Sequence, residues 1–467
     1  MNRGFNRSLF CVSALLFFCI AMVALPVDAC ETIIVGKNIS ATGEVLLGHN
    51  EDNGGRLVML QYKVPRMKHQ SGEIITLENG KAQIPQAEET WVYTWSETRS
   101  PSPGESFSDF FINEWGVAVA SDSCLASKED QPQLKDGGIG YGIRGLVAER
   151  AKTAREGVEI AAELLNTYGY SASGRSYQIV DKNEGWMLQI VNGKHFVAER
   201  IADDAVAVIS NHYTIRAVDL NDTDNFIASP DLITYAIDRG WYRPAVENDY
   251  SDFDFAKAYQ RADKYNIPFN VLRHKHGLDI ILGANTNFAE LPFAVKSDKK
   301  ISINDVKNVL RSHYEGTSDD LTNGYQTSPH FTNNRVICTA LTQESIVVQF
   351  RENPDFTVIW HASGRPCINA YVPWYLGMLD VPAGFNWISP QAGMDTHFNA
   401  ATEDFNYDSK HAWWVFQDLQ NIADPQYGKL INEIHTTIRQ METTWEKNQS
   451  MVESKAQALY QQNRTNG

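Results

Sequence analysis

The stretch "CETIIVGKNISATGEVLLGHNEDN", residues 30–53, decides how the chain is read. "TIIVG" is a β-branched run, "SATGE" supplies a turn at Gly43, and "VLLGHNED" returns as a second apolar run that ends in polar residues. β-Branched residues fit a pleated strand, and a glycine between two such runs marks a hairpin. The hairpin therefore begins almost at Cys30, so that one thiol stands at the head of the first strand.

What precedes it is of another kind. Arg3 and Arg7 give a positive start, Leu9 to Leu25 form an apolar stretch, and Pro26 leads into the small-residue ending Val27-Asp28-Ala29. This is the pattern of a secretory signal peptide over residues 1–29, and it predicts an exported protein, periplasmic or extracellular, whose first residue is Cys30. No later stretch approaches the length needed to cross a bilayer, so no stable membrane insertion is expected. The formal net charge is −16 in 467 residues. A surface that acidic repels phosphate backbones and argues against a nucleic-acid partner.

Outside the leader four cysteines remain: Cys30, Cys124, Cys338 and Cys367. That is too few for a disulfide framework in a chain this long, although pairing of Cys338 with Cys367 stays open. No Cys-x-x-Cys, His-Glu-x-x-His or calcium-loop spacing is present, and no metal or other cofactor is expected. His274 and His276 in "RHKHG" alternate as two residues on one strand face would, without a third ligand by spacing.

Further strands are predicted at 57–64, 90–97 and in the pair 110–127. A helix is predicted over 141–168 from apolar residues three and four apart, then a meander over 176–213. "SINDVKNVLRSHYEG" reads as a capped helix, "RVICTALT", "SIVVQF" and "FTVIWHA" as strands. Leu430, Ile434, Ile438, Met441 and Trp445 mark a long amphipathic helix after Pro425. Strands lead, a helix follows and strands return without strict βαβ alternation, which favours an α+β layered fold. The division expected is 1–29 leader, 30–410 catalytic body and 411–467 C-terminal helical extension.

Three roles compete for Cys30. It is a lipid attachment site in a non-catalytic lipoprotein, a small buried core residue, or a nucleophile exposed by cleavage. The third has a chemical logic of its own. An α-amine, with a reference pKa near about 8, is a weaker base than lysine and is partly neutral at physiological pH, so it can take the thiol proton on the same residue.

The residues quoted above, with "NEWGVAVASDS", "DKNEGWMLQIVNGKHFVAERIADDAVAVISN", "VLRSHYEGT", "GRPCINAYVPWYLG" and "AWWVFQDLQ", resemble the cysteine N-terminal-nucleophile (Ntn) dipeptidases related to dipeptidase A and the secernins. Cholylglycine hydrolases and penicillin V acylases are more distant fold relatives. The resemblance implies a four-layer αββα sandwich and hydrolysis of short peptides through a thioester on Cys30, with an amidase or acylase on other linear amides as the near alternative. It makes Cys30 the nucleophile, Asp52 the carboxylate that orients its amine or thiol, and Asn211 an oxyanion donor. His49 stands where many relatives have arginine, a change expected to make the enzyme slower or more pH-sensitive. Asp122 and Ser123 lie in a segment that places a polar residue near the nucleophile. Asp122 and Arg144 are candidates to hold the two charged ends of a dipeptide.

Overall fold

The computed structural model describes residues 30–465 except 56, 77–80, 125, 289 and 333–334. The leader, residues 1–29, lies outside the described residues. Two large sheets dominate. Among the described residues, one has seven strands in the order Val295–Lys296, Ala205–Ile209, Glu31–Val35, Leu46–Asp52, Thr342–Gln349, Val358–Ser363 and Val372–Tyr375. The other has eight, in the order Phe226–Ala228, Phe196–Arg200, Gly185–Gly193, Tyr170–Val180, Ala118–Ser123, Phe107–Asn113, Tyr93–Arg99 and Val58–Val64. Neighbours in both are antiparallel.

Three apolar cores show how the layers stack. Ile34, Leu47, Ala207 and Ile346 of the seven-stranded sheet meet Ile112, Ala118, Val180 and Met187 of the eight-stranded sheet in a central core. The opposite face of the seven-stranded sheet, with Ile33, Val35, Leu46 and Val208, packs on Leu278, Ile281, Val306 and Leu310 of the helices Pro268–Leu282 and Ile303–Leu310. The outer face of the eight-stranded sheet packs on the helices Ile143–Arg150 and Ala154–Tyr168. The order is helix, sheet, sheet, helix, the αββα sandwich expected. Side chains alternate strictly along the first hairpin: Ile34 and Leu47 face the central core, whereas Ile33 and Leu46 face the helices.

Four expectations are corrected. The helix over 141–168 is two helices, because Thr153 leaves helical geometry and its side chain caps the second by accepting from the Glu156 N–H. "RVICTALT" is mostly irregular, and a strand starts only at Thr342. His274 and His276 are not on a strand face but in the helix Pro268–Leu282, which opens on a proline and closes on a left-handed Gly283. The C-terminal helix Tyr427–Thr465 is present, but its buried stripe runs through Tyr427, Ile431, Ile438 and Glu442, leaving Met441 41% exposed.

That helix changes character along its length. Its first turns pack apolar side chains near Cys338 and Cys367. Farther on Glu442, Glu446 and Glu453 reach Arg311, Lys307 and Arg351. Lys307 is fully buried there, its Nζ 3.5 Å from the Trp360 ring centroid and 3.2 Å from Glu446 Oε1. Among the described residues no helix is long and apolar enough to cross a membrane.

Candidate functional site

Cys30 sits immediately before the strand Glu31–Val35, buried between the two sheets. The register Glu31↔Asn50 and Thr32↔His49 sets Cys30 beside Glu51. By alternation Cys30 and Thr32, with His49 and Glu51 on the partner strand, point toward the eight-stranded sheet. The distances agree: Cys30 Sγ is 3.3 Å from Glu51 Oε2, and Thr32 Oγ1 is 2.7 Å from both His49 Nδ1 and Asp122 Oδ2.

The backbone nitrogen of Cys30 donates to Asn211 Oδ1 at 3.0 Å. Asn211 follows the neighbouring strand Ala205–Ile209 at φ 56°, left-handed backbone that asparagine tolerates better than most residues. Its amide orientation is fixed on both sides. Oδ1 also accepts from Arg273 Nη2 at 2.7 Å, and Nδ2 donates to the Ser123 carbonyl at 2.9 Å. The amide thus turns its oxygen to the nitrogen of residue 30 and gives one of its two Nδ2 hydrogens to Ser123. Arg273 was missed in the sequence. It comes from the helix Pro268–Leu282, is fully buried, and donates to the Cys30 carbonyl at 2.9 Å and to Asn270 Oδ1 at 2.8 Å.

Asp52 falls on the other face of its strand. Its Oδ1 accepts from Thr342 Oγ1 at 2.6 Å and its Oδ2 has no hydrogen-bond partner. Glu51, not Asp52, touches the thiol. Asp52 still acts on Cys30 through its charge, and burial pushes its own carboxyl up to about 7.

The acidic surroundings dictate the electrostatics. Burial first, and then the carboxylates of Glu51, Asp122, Asp109 and Asp52, raise the Cys30 thiol well above its ordinary value. Burial by itself would lower His49, but Asp109, with Glu51 and Asp122, raises it well above the usual imidazole range. Nε2 of His49 lies 3.2 Å from Asp109 Oδ1 and 3.8 Å from Glu51 Oε2. Burial, followed by the Asp109 charge, raises Glu51, whereas His49 and Arg144 hold Asp109 low against its burial. The two neighbouring carboxyls are thus pushed in opposite directions, Glu51 up and Asp109 down. His49, Glu51 and Asp109 also form a three-donor group by geometry, in which His49 Nε2 is hydrogen-bonded to Asp109 Oδ1 while Asp109 Oδ2 has no hydrogen-bond partner.

Asp122, Ser123 and Arg144 join this neighbourhood from the eight-stranded sheet side. Asp122 Oδ1 and Ser123 Oγ are buried without partners. Arg144 is fully buried and donates to the Asp109 carbonyl at 3.0 Å and to Ser121 Oγ at 2.9 Å. Its guanidinium lies 4.3 Å from the ring centroid of Phe107, and Phe107 and Tyr141 line a cavity of about 290 Å³ together with Trp95, Phe111 and Met394.

Similarity to known proteins falls on this frame. The model of "Peptidase family C69" matches residues 29–440, starting one residue before Cys30. The class is thereby settled as a peptidase. The chain belongs to peptidase family C69. Among its relatives, a probable dipeptidase of Latilactobacillus sakei is 29% identical over 416 residues, spanning 86% of this chain and 83% of that protein. A probable dipeptidase of Salmonella dublin is 29% identical over 375 residues, spanning 75% of this chain and 82% of that protein. A crystal structure of a mutant conjugated bile acid hydrolase from Clostridium perfringens aligns at a TM-score of 0.34 and 10% identity, over 75% of this chain and 92% of that one.

Proposed function

We propose that this peptidase is an exported dipeptidase whose nucleophile is Cys30, made the chain's first residue by removal of residues 1–29. The observation that carries the reading is the setting of one residue. Cys30 heads a strand, with its Sγ against Glu51, its nitrogen on Asn211 Oδ1 and its carbonyl held by Arg273. A group fixed on three sides by sheet and side chains needs little reorganisation to react.

In this reading the free amine of Cys30 takes the thiol proton and becomes an ammonium that Asn211 Oδ1 accepts from. The thiolate attacks the scissile carbonyl carbon, and the carbonyl π pair moves to oxygen. The N–H of Asn211 not given to Ser123 donates to that oxyanion, a contact worth about 3 kcal/mol where it is made only in the transition state. Collapse breaks the C–N bond, with the ammonium proton passing to the leaving amine, and leaves a thioester on Cys30. Water, deprotonated by the same amine, then releases the acid and restores the thiol. In this scheme Glu51, its carboxyl raised by burial and by the Asp109 charge, reacts in its protonated form, so that it does not oppose the thiolate as an ionised carboxylate would. His49 supplies the positive charge that many relatives take from arginine.

Asp122 Oδ1, with no protein partner, faces a substrate ammonium in this scheme. Arg144, whose Nε and Nη2 are unpartnered, lies against Phe107 at the edge of the aromatic cavity, which takes an apolar side chain. The dipeptidase names of the relatives support the substrate class.

The test couples mass-spectrometric reading of the mature first residue to turnover of a dipeptide panel and an acyl-amide panel. The expected result is an unmodified chain starting at Cys30, dipeptide hydrolysis, and loss of activity on thiol alkylation or in Cys30→Ala. An acylated Cys30, or full activity in Cys30→Ala, overturns the reading. Turnover confined to acyl-amides redirects it to an amidase.

A further inference from the structure

Away from the nucleophile, His313, His330, Cys338 and Cys367 bring one ligand atom each to within 4.8 Å of one another. All four side chains are buried, none more than 5% exposed. We propose that these four residues bind a structural zinc ion that locks the C-terminal helices to the body of the peptidase.

The separations suit a closed tetrahedral site. Nε2 of His313 is 3.2 Å from Nε2 of His330, and Cys367 Sγ is 3.4 Å from His330 Nε2. Zinc bonds of ordinary length at a tetrahedral angle separate two nitrogens by about 3.4 Å and a nitrogen from a sulfur by about 3.6 Å. Both sulfurs are free thiols rather than the disulfide left open by the sequence.

The hydrogen bonds behind the imidazoles point the same way. His313 Nδ1 is 2.9 Å from Glu315 Oε1, whose other carboxylate oxygen accepts from the His313 backbone N–H at 2.8 Å. His330 Nδ1 is 2.6 Å from Asp424 Oδ1, which also accepts from Ser328 Oγ at 2.8 Å, and Asp424 is further held by Arg365. With each Nδ1 proton given to a carboxylate, each Nε2 presents a lone pair, and the two lone pairs face each other across the 3.2 Å gap. A cation between them turns that repulsion into two bonds. Carboxylates behind metal-bound histidines are a regular feature of zinc sites.

The donor set selects the ion. Two thiolates and two imidazoles in a closed tetrahedron suit zinc and leave no open position for substrate or water. Binding releases the two thiol protons to solvent, and the dication cancels the two thiolates, so the buried centre is neutral. No electrons move.

Position explains the role. His313 follows the helix Ile303–Leu310, His330 lies in the turn Pro329–Phe331, and Cys338 and Cys367 flank the strands Thr342–Gln349 and Val358–Ser363. Asp424 comes from the junction of the two C-terminal helices, and Ala423, Tyr427 and Ile431 pack on Cys338 and Cys367. Beside Cys338, the Ile337 carbonyl accepts from Asn50 Nδ2 at 3.0 Å, tying the centre to the strand that carries Glu51.

The experiment takes untagged full-length protein, matured by its host, and measures metal content by elemental analysis and native mass spectrometry. It then replaces the metal with cobalt for absorption spectroscopy. One zinc per chain is expected, with tetrahedral cobalt bands and a thiolate charge-transfer band that falls to about half its intensity in Cys367→Ser, since Cys338 remains. Chelation is expected to lower the melting temperature, and added zinc chloride to restore it. Because Cys367→Ser can fail to fold, Glu315→Gln serves as a second variant, expected to keep the cobalt spectrum while weakening affinity by about 10- to 100-fold. Protein that carries no metal and takes none up from zinc chloride overturns the proposal. So does a natively formed Cys338–Cys367 disulfide, or a different metal at the site.

Discussion

His49 Nε2 and Asp109 Oδ1 stand 3.2 Å apart with both side chains buried. The pair sets an imidazole with a raised proton affinity beside a thiol that is otherwise ringed by carboxylates. Burial would strip the proton from the imidazole, but Asp109, Glu51 and Asp122 raise it well above its usual value. A raised histidine lends stability that is complete below its unfolded value near 6.5 and is lost as pH rises through the folded one. The His49 ring is expected to show no NMR titration near pH 6.5 in the wild type. In Asp109→Asn it is expected to titrate near or below neutrality, with activity falling as pH rises through that titration. A neutral His49 ring in the wild type at pH 7 defeats this account.

Glu51 separates two possible bases. If the amine of Cys30 takes the thiol proton, Glu51→Gln preserves shape and neutrality and is expected to hold kcat within about tenfold of wild type. If the Glu51 carboxylate takes it, the same variant loses the about 10²–10⁴-fold that a positioned general base supplies. A pre-steady-state burst measurement on the variant tells the two apart.

Asn211 offers an unusually clean substitution because its backbone is left-handed. Asn211→Gly removes the amide and relieves the backbone, whereas Asn211→Ala adds strain. Asn211→Gly is expected to lower kcat by about 10²–10³ while the melting temperature barely moves. Melting curves beside steady-state kinetics check it. A fall in stability as large as the fall in rate would make the amide a structural part.

Glu31 gives the chain a pH-dependent weakness. It faces the helices, accepts from Ser210 and lies 3.9 Å from Arg273, and burial pushes it up to about 8 from 4.5. Between those values the unfolded chain releases a proton that the folded chain keeps, so stability declines as pH rises through that window. Glu31→Gln is expected to leave the melting temperature unchanged near pH 4 and to raise it most near pH 8. Equal shifts at both pH values would dismiss the effect.

How much of this was written in the chain varies by residue. The first hairpin was legible because its β-branched runs and Gly43 are local signals. Its register was not, since the segment between the strands admits several pairings and a slip of one residue exchanges Glu51 for Asp52 at the thiol. Arg273 escaped notice because nothing near it in sequence is catalytic, and only the packing of its helix on the sheet brings it to Cys30. The alternation of His274 and His276 suggested a strand, while Pro268 at one end and Gly283 at the other already carried the helix. His313, His330, Cys338 and Cys367 share no short motif, because their meeting depends on three separate returns of the chain.

Lys307 gives the last helix a further meaning. Without Glu442 and Glu446 above it, an ammonium would be left against Trp360 with no counter-ion, a state more costly than never having buried it. Docking of the helix Tyr427–Thr465 therefore supplies the counter-charge that burial of Lys307 requires.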